Sequence, residues 1–319
     1  MKNVAVIGLG NIATRHRKNI RALFPQAKIY AVPSSGRLVT EIISDCDEIA
    51  TDITQLGNCV DMVIVASPAP FHARHAVSFI EAGVPVLIEK PVAASLEDGM
   101  KLLSAYKDNK TPVAVGYCLR YMPSAKILHE QLKSGVIGKL LNADIAVGQY
   151  LPDWRKKDYR ESVSAQRKLG GGALLELSHE LDYTRWLLGE LHVQHAIVRH
   201  SGTLDINVED LVDVVAVAEQ NVVVNIHLDF LQRKAYRKCA FIGAKGRLEW
   251  DLITNSLVLS DASGTKVIYV DEAYDRNQLY LEMLKDFIRL IAKENNNCIT
   301  LEDAVATVEL IEQINNTAN

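Results

Sequence analysis

The sequence is short of cysteine, of net charge and of long apolar runs, and each shortage excludes a class of protein. The chain has 319 residues, and its five cysteines are widely scattered without a C-x-x-C pair. This scatter argues against a disulfide framework and offers no set of metal ligands, so we expect reduced thiols and no metal. No stretch is long and apolar enough to cross a bilayer. A net charge of only −4 gives no reason to expect a nucleic-acid partner or an anionic membrane.

The length of the chain predicts two domains, and the first has a clear pattern. An apolar strand begins at Val4, which leaves no room for a signal peptide, so we expect a cytoplasmic protein. Over residues 1–119 strands alternate with helices, as in a doubly wound parallel Rossmann sheet. The predicted strands are Val4–Ile7, Lys28–Val32, Met62–Ala66, Val86–Glu89 and Val113–Gly116. The predicted helices are Ala13–Phe24, Leu38–Asp45, Ala73–Ala82 and Leu96–Asp108.

Residues 120–319 show a different order of predicted helices and strands, which indicates an α+β domain. Helices are expected near Pro123–Ser134 and Ala173–Leu188, and two more, Tyr274–Lys293 and Leu301–Asn315, close the chain. Between residues 140 and 270 lie several long β candidates. Partial alternation in Val222–Asp229 is typical of a sheet with one wetter face. The last helix could pack back on the first domain.

A glycine-rich turn directly follows the first strand. The residues Gly8-Leu9-Gly10-Asn11-Ile12-Ala13 fit the pattern G-x-G-x-x-A between a buried strand and a helix. Gly8 permits the tight turn, Gly10 lets the backbone approach phosphates, and Ala13 allows close helix packing. The helix then offers free N–H groups to an anion. This turn predicts a site for a nicotinamide or flavin dinucleotide.

The end of the second strand bears on which dinucleotide is bound. An acidic residue there would bind the adenosine ribose and select NAD, whereas an arginine accommodates the extra phosphate of NADP. The chain has no acid at this point but has Ser34, Ser35 and Arg37. These donors suit a 2′-phosphate, so the sequence favours NADP over NAD. The alternative is a solvated turn with a surface arginine.

Two further strand ends lie at the same predicted edge of the sheet. Ala66, Ser67 and Pro68 form a small loop that can pass under a nicotinamide ring, and His72 either touches ligand or caps the next helix. After Val86–Ile88 come Glu89 and Lys90. A lysine beside the cofactor cleft can move a proton during hydride transfer, and Glu89 could orient it. The alternative for Lys90 is an ordinary solvated charge.

A triple glycine, Gly170–Gly172, precedes a predicted helix in the second domain. Helical spacing places Glu176, His179, Glu180 and Tyr183 on one face, opposite a leucine stripe. This polar face could line a cleft, with His179 as a proton-transfer group near Lys90. The alternative is an amphipathic surface helix.

Together these segments resemble the Gfo/Idh/MocA family of oxidoreductases over essentially the whole chain. The resemblance is carried by G-L-G-N-I-A-T-R-H at 8–16, A-S-P-A-P-F-H-A-R-H-A at 66–76, E-A-G-V-P-V-L-I-E-K-P at 81–91 and the glycine-rich helix at 170–183. It implies a Rossmann domain followed by a domain with a large, open, mainly antiparallel sheet that mediates homodimers or homotetramers. It also implies Lys90 as the acid/base or orienting group, with Glu176 and His179 as the helix's acid and histidine. The family more often has Asp in place of Glu176, four residues before the histidine rather than three.

The segment after the second domain's first strand bears on the substrate. The runs Tyr150-Leu151-Pro152-Asp153-Trp154-Arg155 and Asp158-Tyr159-Arg160-Glu161-Ser162 occur here, and L-S-H-E-L-D-Y follows at 177–183. Together they are similar to a subgroup associated with bacterial surface-polysaccharide and sialic-acid-like sugar pathways. Aromatic faces suit sugar C–H groups, and arginines suit a phosphate or carboxylate. The predicted substrate contacts are Arg120, Tyr150, Trp154, Arg155, Tyr159, Arg160 and Tyr183. A nucleotide sugar or sugar acid fits this loop, and packing across a subunit interface is the alternative.

The sequence therefore predicts an NAD(P)-dependent dehydrogenase or reductase that acts on a carbon of a sugar, sugar acid or nucleotide sugar. The hydroxyl proton is assigned to Lys90 with His179. Two other functions stay open. One is an enzyme with tightly held NAD that uses transient oxidation for elimination or glycoside cleavage. The other is a non-catalytic dinucleotide sensor or scaffold.

Overall fold

The computed structural model describes residues 1–40, 42–57 and 59–318, which form two compact units. The first unit comprises Met1–Tyr117 and Asn277–Val308. The second comprises Cys118–Arg276 and the chain from Glu309 onward. Residues 277–308, which the sequence analysis assigned to the second domain, thus belong to the first unit.

The first unit contains a parallel sheet of six strands. In chain order its elements are β1 (Asn3–Ile7), α1 (Asn11–Leu23), β2 (Lys28–Val32), β3 (Glu48–Ile49), β4 (Met62–Val65), α2 (His72–Glu81), β5 (Val86–Ile88), α3 (Leu96–Asn109) and β6 (Val113–Val115). The strand order is β3-β2-β1-β4-β5-β6, with the crossover from β3 to β4 that a doubly wound fold requires. β4 and β5 are apolar and buried throughout, as expected for strands covered on both faces.

The second unit contains a sheet of eight strands. Its elements are α4 (Pro123–Lys133), β7 (Leu140–Gly148), α5 (Ala173–Glu176), α6 (His179–Leu188), β8 (His192–Arg199), β9 (Leu211–Ala218), β10 (Val222–Asp229), β11 (Tyr236–Gly243), β12 (Gly246–Asp251), β13 (Ser256–Asp261) and β14 (Gly264–Val270). The strand order is β14-β13-β12-β11-β7-β10-β9-β8. All neighbouring pairs are antiparallel except β7 with β10. The predicted fold class is confirmed.

One face of the large sheet is packed and the other is open. Along β10 the residues alternate between buried and more exposed positions. The buried face carries large side chains such as Phe230, Phe241 and Trp250. Trp250 donates its indole N–H to the hydroxyl oxygen of Ser124 at 2.8 Å, which ties α4 to this face.

The chain closes with α7 (Asn277–Ile291) and α8 (Leu301–Thr317). α7 packs on α1, and the side-chain amides of Asn19 and Asn277 are hydrogen-bonded at 2.8 Å. Ile299 forms an antiparallel bridge with Val115, so the returning segment also pairs with β6. Among the helices that the structure describes, none is long and apolar enough to cross a bilayer.

The helix predicted over Leu38–Asp45 is wrong for the described part of that segment. Residues 38–40 and 42–45 form no helix, and Glu41 lies outside the described residues. Leu38 and Ile42 are 81% and 98% exposed, so no neighbouring element buries the apolar spacing that suggested a helix.

Candidate active site

The glycine-rich turn has the geometry needed to hold a pyrophosphate. The N–H of Gly8 donates to the carbonyl oxygen of Val32 at 2.8 Å, and its φ of +123° is reserved for glycine. Apart from the chain neighbours of Gly10, no atom of the described residues would lie within 4 Å of a Cβ at this position, so the space beside it is open. α1 begins at Asn11, and its N-terminus has no side-chain cap. The residues present therefore fit a dinucleotide at the N–H groups of α1.

A buried arginine supports this turn from α1, and the sequence analysis missed it. Arg17 is 1% exposed and donates to the carbonyl oxygen of Gly8 at 3.3 Å and to that of Ser44 at 3.1 Å. Burial lowers the pKa of its guanidinium, against the attraction of Asp45. Only the spacing along α1 could have indicated that Arg17 turns inward.

The predicted adenosine-side residues lie just beyond β2. Ser34 is half-buried, Ser35 and Arg37 are exposed, and Arg37 donates to the carbonyl oxygen of Leu38 at 3.3 Å. A second arginine, missed in the sequence, reaches the same place from α2. Arg74 donates to the carbonyl oxygen of Ser34 at 3.3 Å. Two guanidinium groups therefore flank this strand end.

The loop after β4 is fixed by two histidines from α2. His72 is 1% exposed, and its ring nitrogens lie 2.7 Å from the carbonyl oxygen of Ser67 and 3.0 Å from that of Pro91. It makes no helix cap, contrary to one of the two interpretations left open. His75 Nδ1 lies 2.9 Å from the hydroxyl of Ser67, and burial lowers the His75 pKa to about 4. His72 therefore connects the Ser67 loop to the segment after β5.

The paired strand ends bring the predicted cofactor and proton-transfer residues to one edge. Ile7 pairs with Val65, and Val65 pairs with Ile88, so β1, β4 and β5 end side by side. Lys90 is half-buried two residues beyond Ile88, and its backbone N–H donates to Glu89 Oε2 at 3.2 Å. The Glu89 carboxylate is buried and lies against His16. Lys90 and the glycine turn thus share the carboxyl edge of the same sheet.

In the second unit, two of the three consecutive glycines, Gly171 and Gly172, are packed too closely to allow side chains. A Cβ on Gly171 would overlap the carbonyl oxygen of Val163. Gly172 has a φ of +114°, and a Cβ there would overlap the carboxylate of Glu209. Glu209 accepts the N–H of Leu174 at 3.2 Å, and burial raises its pKa. These glycines position the start of α5.

The helix predicted over Ala173–Leu188 is interrupted at residues 177–178, between α5 and α6. Glu176 and His179 are both half-buried, and Glu176 accepts the hydroxyl of Ser164 at 2.8 Å. The predicted four-residue polar face is wrong, because Glu180 and Tyr183 are both 0% exposed. Glu180 instead pairs with Arg237 at 2.6 Å in the core of the unit.

Two predicted substrate residues have structural partners in this core. The hydroxyl of Tyr183 donates to Glu180 at 3.2 Å, and its ring lies edge-on to Trp250. Burial raises the Tyr183 pKa well above its usual value. Arg120 holds both carboxylate oxygens of Asp182, at 2.9 and 2.6 Å. Both side chains are therefore hydrogen-bonded within the protein, which differs from the predicted role in substrate binding.

The other predicted substrate residues lie in one loop, built from short 3₁₀ turns. The ring of Tyr150 lies under the guanidinium of Arg233 at 3.7 Å, and Trp154 lies edge-on to Phe230. The hydroxyl of Tyr159 accepts the N–H of Asp205 at 3.2 Å. Arg160 is paired with Asp158 at 2.6 Å and Asp205 at 3.3 Å, whereas Arg155 is exposed. The guanidinium of Arg160 is therefore already paired with two carboxylates of the protein itself.

Comparisons with known proteins match both parts of the chain to one family. Residues 2–117 match the model of the Gfo/Idh/MocA oxidoreductase family, described as having an NAD-binding Rossmann fold. Residues 126–249 match the Gfo/Idh/MocA C-terminal domain. A levoglucosan dehydrogenase in complex with NADH and levoglucosan has the same fold, with a TM-score of 0.87, 20% identity and coverage of 99% of this chain and 96% of that chain.

Two curated relatives match parts of the chain. A 2,7-anhydro-N-acetylneuraminate hydratase of Escherichia coli (strain K12) is 27% identical over 60% of this chain and 50% of its own length. An inositol 2-dehydrogenase of Acidothermus cellulolyticus is 29% identical over 58% of this chain and 52% of its own length. The chain thus spans about half the length of the curated relatives that it matches.

Proposed function

This chain belongs to the Gfo/Idh/MocA family of oxidoreductases, and from that premise we propose that it is an NAD(P)-dependent sugar dehydrogenase or reductase. The observation that carries the proposal is the position of Lys90. The residue lies at the carboxyl edge of the sheet whose first strand ends in the Gly8–Gly10 turn. The proposed proton-transfer group and the proposed cofactor cradle therefore follow β5 and β1, two strands of the same sheet that are separated only by β4.

In this proposal the protein's own residues bind the cofactor and move the hydroxyl proton. Gly8, Gly10 and the N-terminus of α1 hold the pyrophosphate, and the loop at Ala66–Pro68 supports the nicotinamide end. The bound nicotinamide supplies the hydride acceptor or donor. Lys90 takes the proton of the sugar hydroxyl during oxidation and returns it during reduction. The family resemblance also assigns His179 and Glu176 to assisting this transfer or orienting the hydroxyl.

A lysine variant tests this role directly. Lys90→Ala should reduce turnover by at least about 10²-fold, because the hydroxyl proton loses its acceptor. NADH binding, followed by fluorescence titration, should stay near the wild-type value. Lys101→Ala is the control, because Lys101 is an exposed residue of α3 paired with Glu97 and Asp98. Full activity of Lys90→Ala on inositol, levoglucosan or any active sugar would refute the role of Lys90.

The finer cofactor preference that we propose is for NADP(H). The turn directly after β2, residues 33–37, contains no acidic residue, and Arg37 and Arg74 flank the strand end where an adenosine 2′-phosphate would lie. Ser34→Asp places a carboxylate there. It should lower kcat/KM for NADP+ by about tenfold or more while raising the relative use of NAD+. A wild-type enzyme that prefers NAD+ would contradict this preference.

The substrate class that we propose is a sugar acid or nucleotide sugar. Tyr150 and Trp154 are half-buried aromatic residues in the loop after β7, and Arg155, the next residue in the chain, is exposed. Arg155→Gln should therefore raise KM for an anionic sugar and leave KM for a neutral sugar unchanged. Equal effects on both sugars, or no effect on either, would contradict an anionic substrate.

A second candidate function keeps the cofactor but returns it unchanged at the end of each cycle. The hydratase of E. coli is the observation that favours it, since a hydration needs no net redox change. In that case NAD co-purifies with the protein, and product forms from 2,7-anhydro-N-acetylneuraminate without accumulation of NADH. Net NADH formation with a sugar would decide for the dehydrogenase. Tight cofactor binding with neither reaction would indicate a sensor.

We also propose that the open face of the large sheet pairs with a second copy of this chain. Ile197, Val215 and Val223 are 38–42% exposed on β8–β10. Apolar side chains on an open sheet are typical of an interface. Light scattering after size exclusion should give a dimer or tetramer mass, and Val215→Asp should shift it toward the monomer. A monomeric wild type would contradict this assembly.

A further inference from the structure

A buried histidine of α1 lies against the residue that precedes Lys90. His16 Nε2 is 2.6 Å from Glu89 Oε1, and the two residues are 0% and 6% exposed. They are separated by 73 positions in the sequence, so only the tertiary fold brings them together. A buried carboxylate needs a donor, and His16 supplies one.

The other oxygen of the same carboxylate holds the backbone of Lys90. Glu89 Oε2 accepts the Lys90 N–H at 3.2 Å. A Cβ on Gly116 would lie 3.0 Å from this oxygen, so the glycine leaves just enough room for the carboxylate. Glu89 therefore connects His16 to Lys90 with one oxygen on each side.

The ring of His16 is held in place by packing. Tyr280 of α7 lies edge-on to it with 6.0 Å between ring centroids, and Arg15 covers the Tyr280 ring at 4.6 Å. His16 Nδ1 is buried and has no hydrogen-bond partner among the residues that the structure describes. The single hydrogen of a neutral ring therefore belongs on Nε2, where it is donated to Glu89.

We propose that His16 is a positioning residue for the reaction, acting on Lys90 through Glu89. This inference rests on the proposed function, in which Lys90 moves the hydroxyl proton. Without the donor at Nε2, the buried carboxylate must turn toward another donor. The Lys90 N–H then loses its acceptor, and the backbone that carries the lysine side chain is no longer held. A displacement of about 1 Å at a reacting group lowers turnover by about 10²-fold.

Three variants separate positioning from simple packing. His16→Leu fills the same space without a donor, whereas His16→Gln keeps an amide N–H near the position of Nε2. Asn19→Ala is the matched control, since Asn19 is buried on the same helix and contacts α7 but not Glu89. Each variant is tested for thermal stability and NADH affinity before its effects on the reaction are compared.

The first readout needs no substrate. Hydrogen exchange at the Lys90 amide, followed by NMR, reports whether Glu89 still holds this N–H. His16→Leu should speed the exchange by about tenfold or more, and His16→Gln and Asn19→Ala should leave it near the wild-type rate. Equal exchange in the wild type and His16→Leu would overturn the proposal.

The second readout is the reaction itself. His16→Leu should lower kcat by about tenfold to 10²-fold with little change in the NADH dissociation constant, and His16→Gln should restore most of kcat. A parallel loss in His16→Gln, or in Asn19→Ala, would assign the effect to packing and overturn the inference. If Lys90→Ala keeps full activity, the proposed function fails first. If Lys90→Ala is inactive and His16→Leu is normal, only this inference fails.

Discussion

A side chain on Gly8 would overlap the carbonyl oxygen of Ala66, one strand away in the first sheet. The two residues follow β1 and β4, whose ends are paired through Ile7 and Val65. The glycine at position 8 is thus required by the fold itself, through both its neighbour and its φ of +123°. Gly10 has no such neighbour in the described part of the chain, so the reason for a glycine there is different.

Alanine substitutions should separate these two reasons. Gly8→Ala should lower the free energy of unfolding by at least about 1–3 kcal/mol, because it combines a steric overlap with an unfavourable φ. Gly10→Ala should leave the unfolding midpoint nearly unchanged and weaken NAD(H) binding, because its new methyl group occupies the space for the pyrophosphate. Chemical denaturation and NADH fluorescence titration measure the two effects. A Gly10→Ala variant that binds the cofactor normally would contradict the assignment of this turn.

The Arg120–Asp182 pair predicts a stability effect at a position that the sequence suggested for substrate. Asp182 is 1% exposed, and the side chain of Arg120 is 10% exposed. Arg120→Met removes the two hydrogen bonds to the Asp182 carboxylate and takes away the cation that faces this buried charge, which should cost about 3–5 kcal/mol in urea unfolding. Arg120→Lys keeps the charge without the two-point contact and should cost less. A large rise in KM with unchanged stability would instead support substrate binding.

His227 predicts a pH-dependent contribution to stability. Its ring lies 2.9 Å from Asp229 and 2.6 Å from Asp213, on the open face of the large sheet. Hydrogen bonds to Asp229 and then to Asp213 raise the His227 pKa from 6.5 to about 9, against the opposing effect of burial. The folded state therefore binds this proton more tightly than the unfolded state, and the stabilisation is complete below pH 6.5 and lost as pH rises through about 9.

Unfolding in urea at a series of pH values checks this sign. The free energy of unfolding of the wild type should fall between about pH 7 and pH 10, and His227→Gln should show a smaller fall over the same range. His195→Gln is a suitable control, because His195 is an exposed residue of β8. A wild type and His227→Gln with parallel pH profiles would rule out this coupling.

Most of the first sheet could be predicted from the sequence, because each pattern used there has a single physical cause. The strand Lys28–Val32 is found with its predicted ends, and the Gly8–Ala13 turn lies between β1 and α1 as expected. Buried parallel strands are continuous apolar runs, and the glycine pattern depends only on local backbone geometry. The short strand β3 at Glu48–Ile49 was missed, because two residues carry no periodicity.

Patterns that depend on distant partners were predicted less well. The apolar spacing around Leu38 and Ile42 resembles a helix, but burial decides whether such a helix is stable. Glu180 and Tyr183 share helical spacing with His179, but Glu180 forms an ion pair with Arg237 of β11 in the core. The contact between His16 and Glu89 spans 73 positions, and no local signal in the sequence indicates it.

The division of the first unit between two stretches of sequence has a consequence for synthesis of the protein. α7 packs against α1, and Ile299 pairs with Val115, so residues 277–308 complete a structure begun at the N-terminus. A ribosome delivers the second unit's sheet before that segment emerges. During this interval the face of α1 that α7 later contacts stays exposed, and the nascent chain is open to aggregation or chaperone capture until the last helices are synthesised.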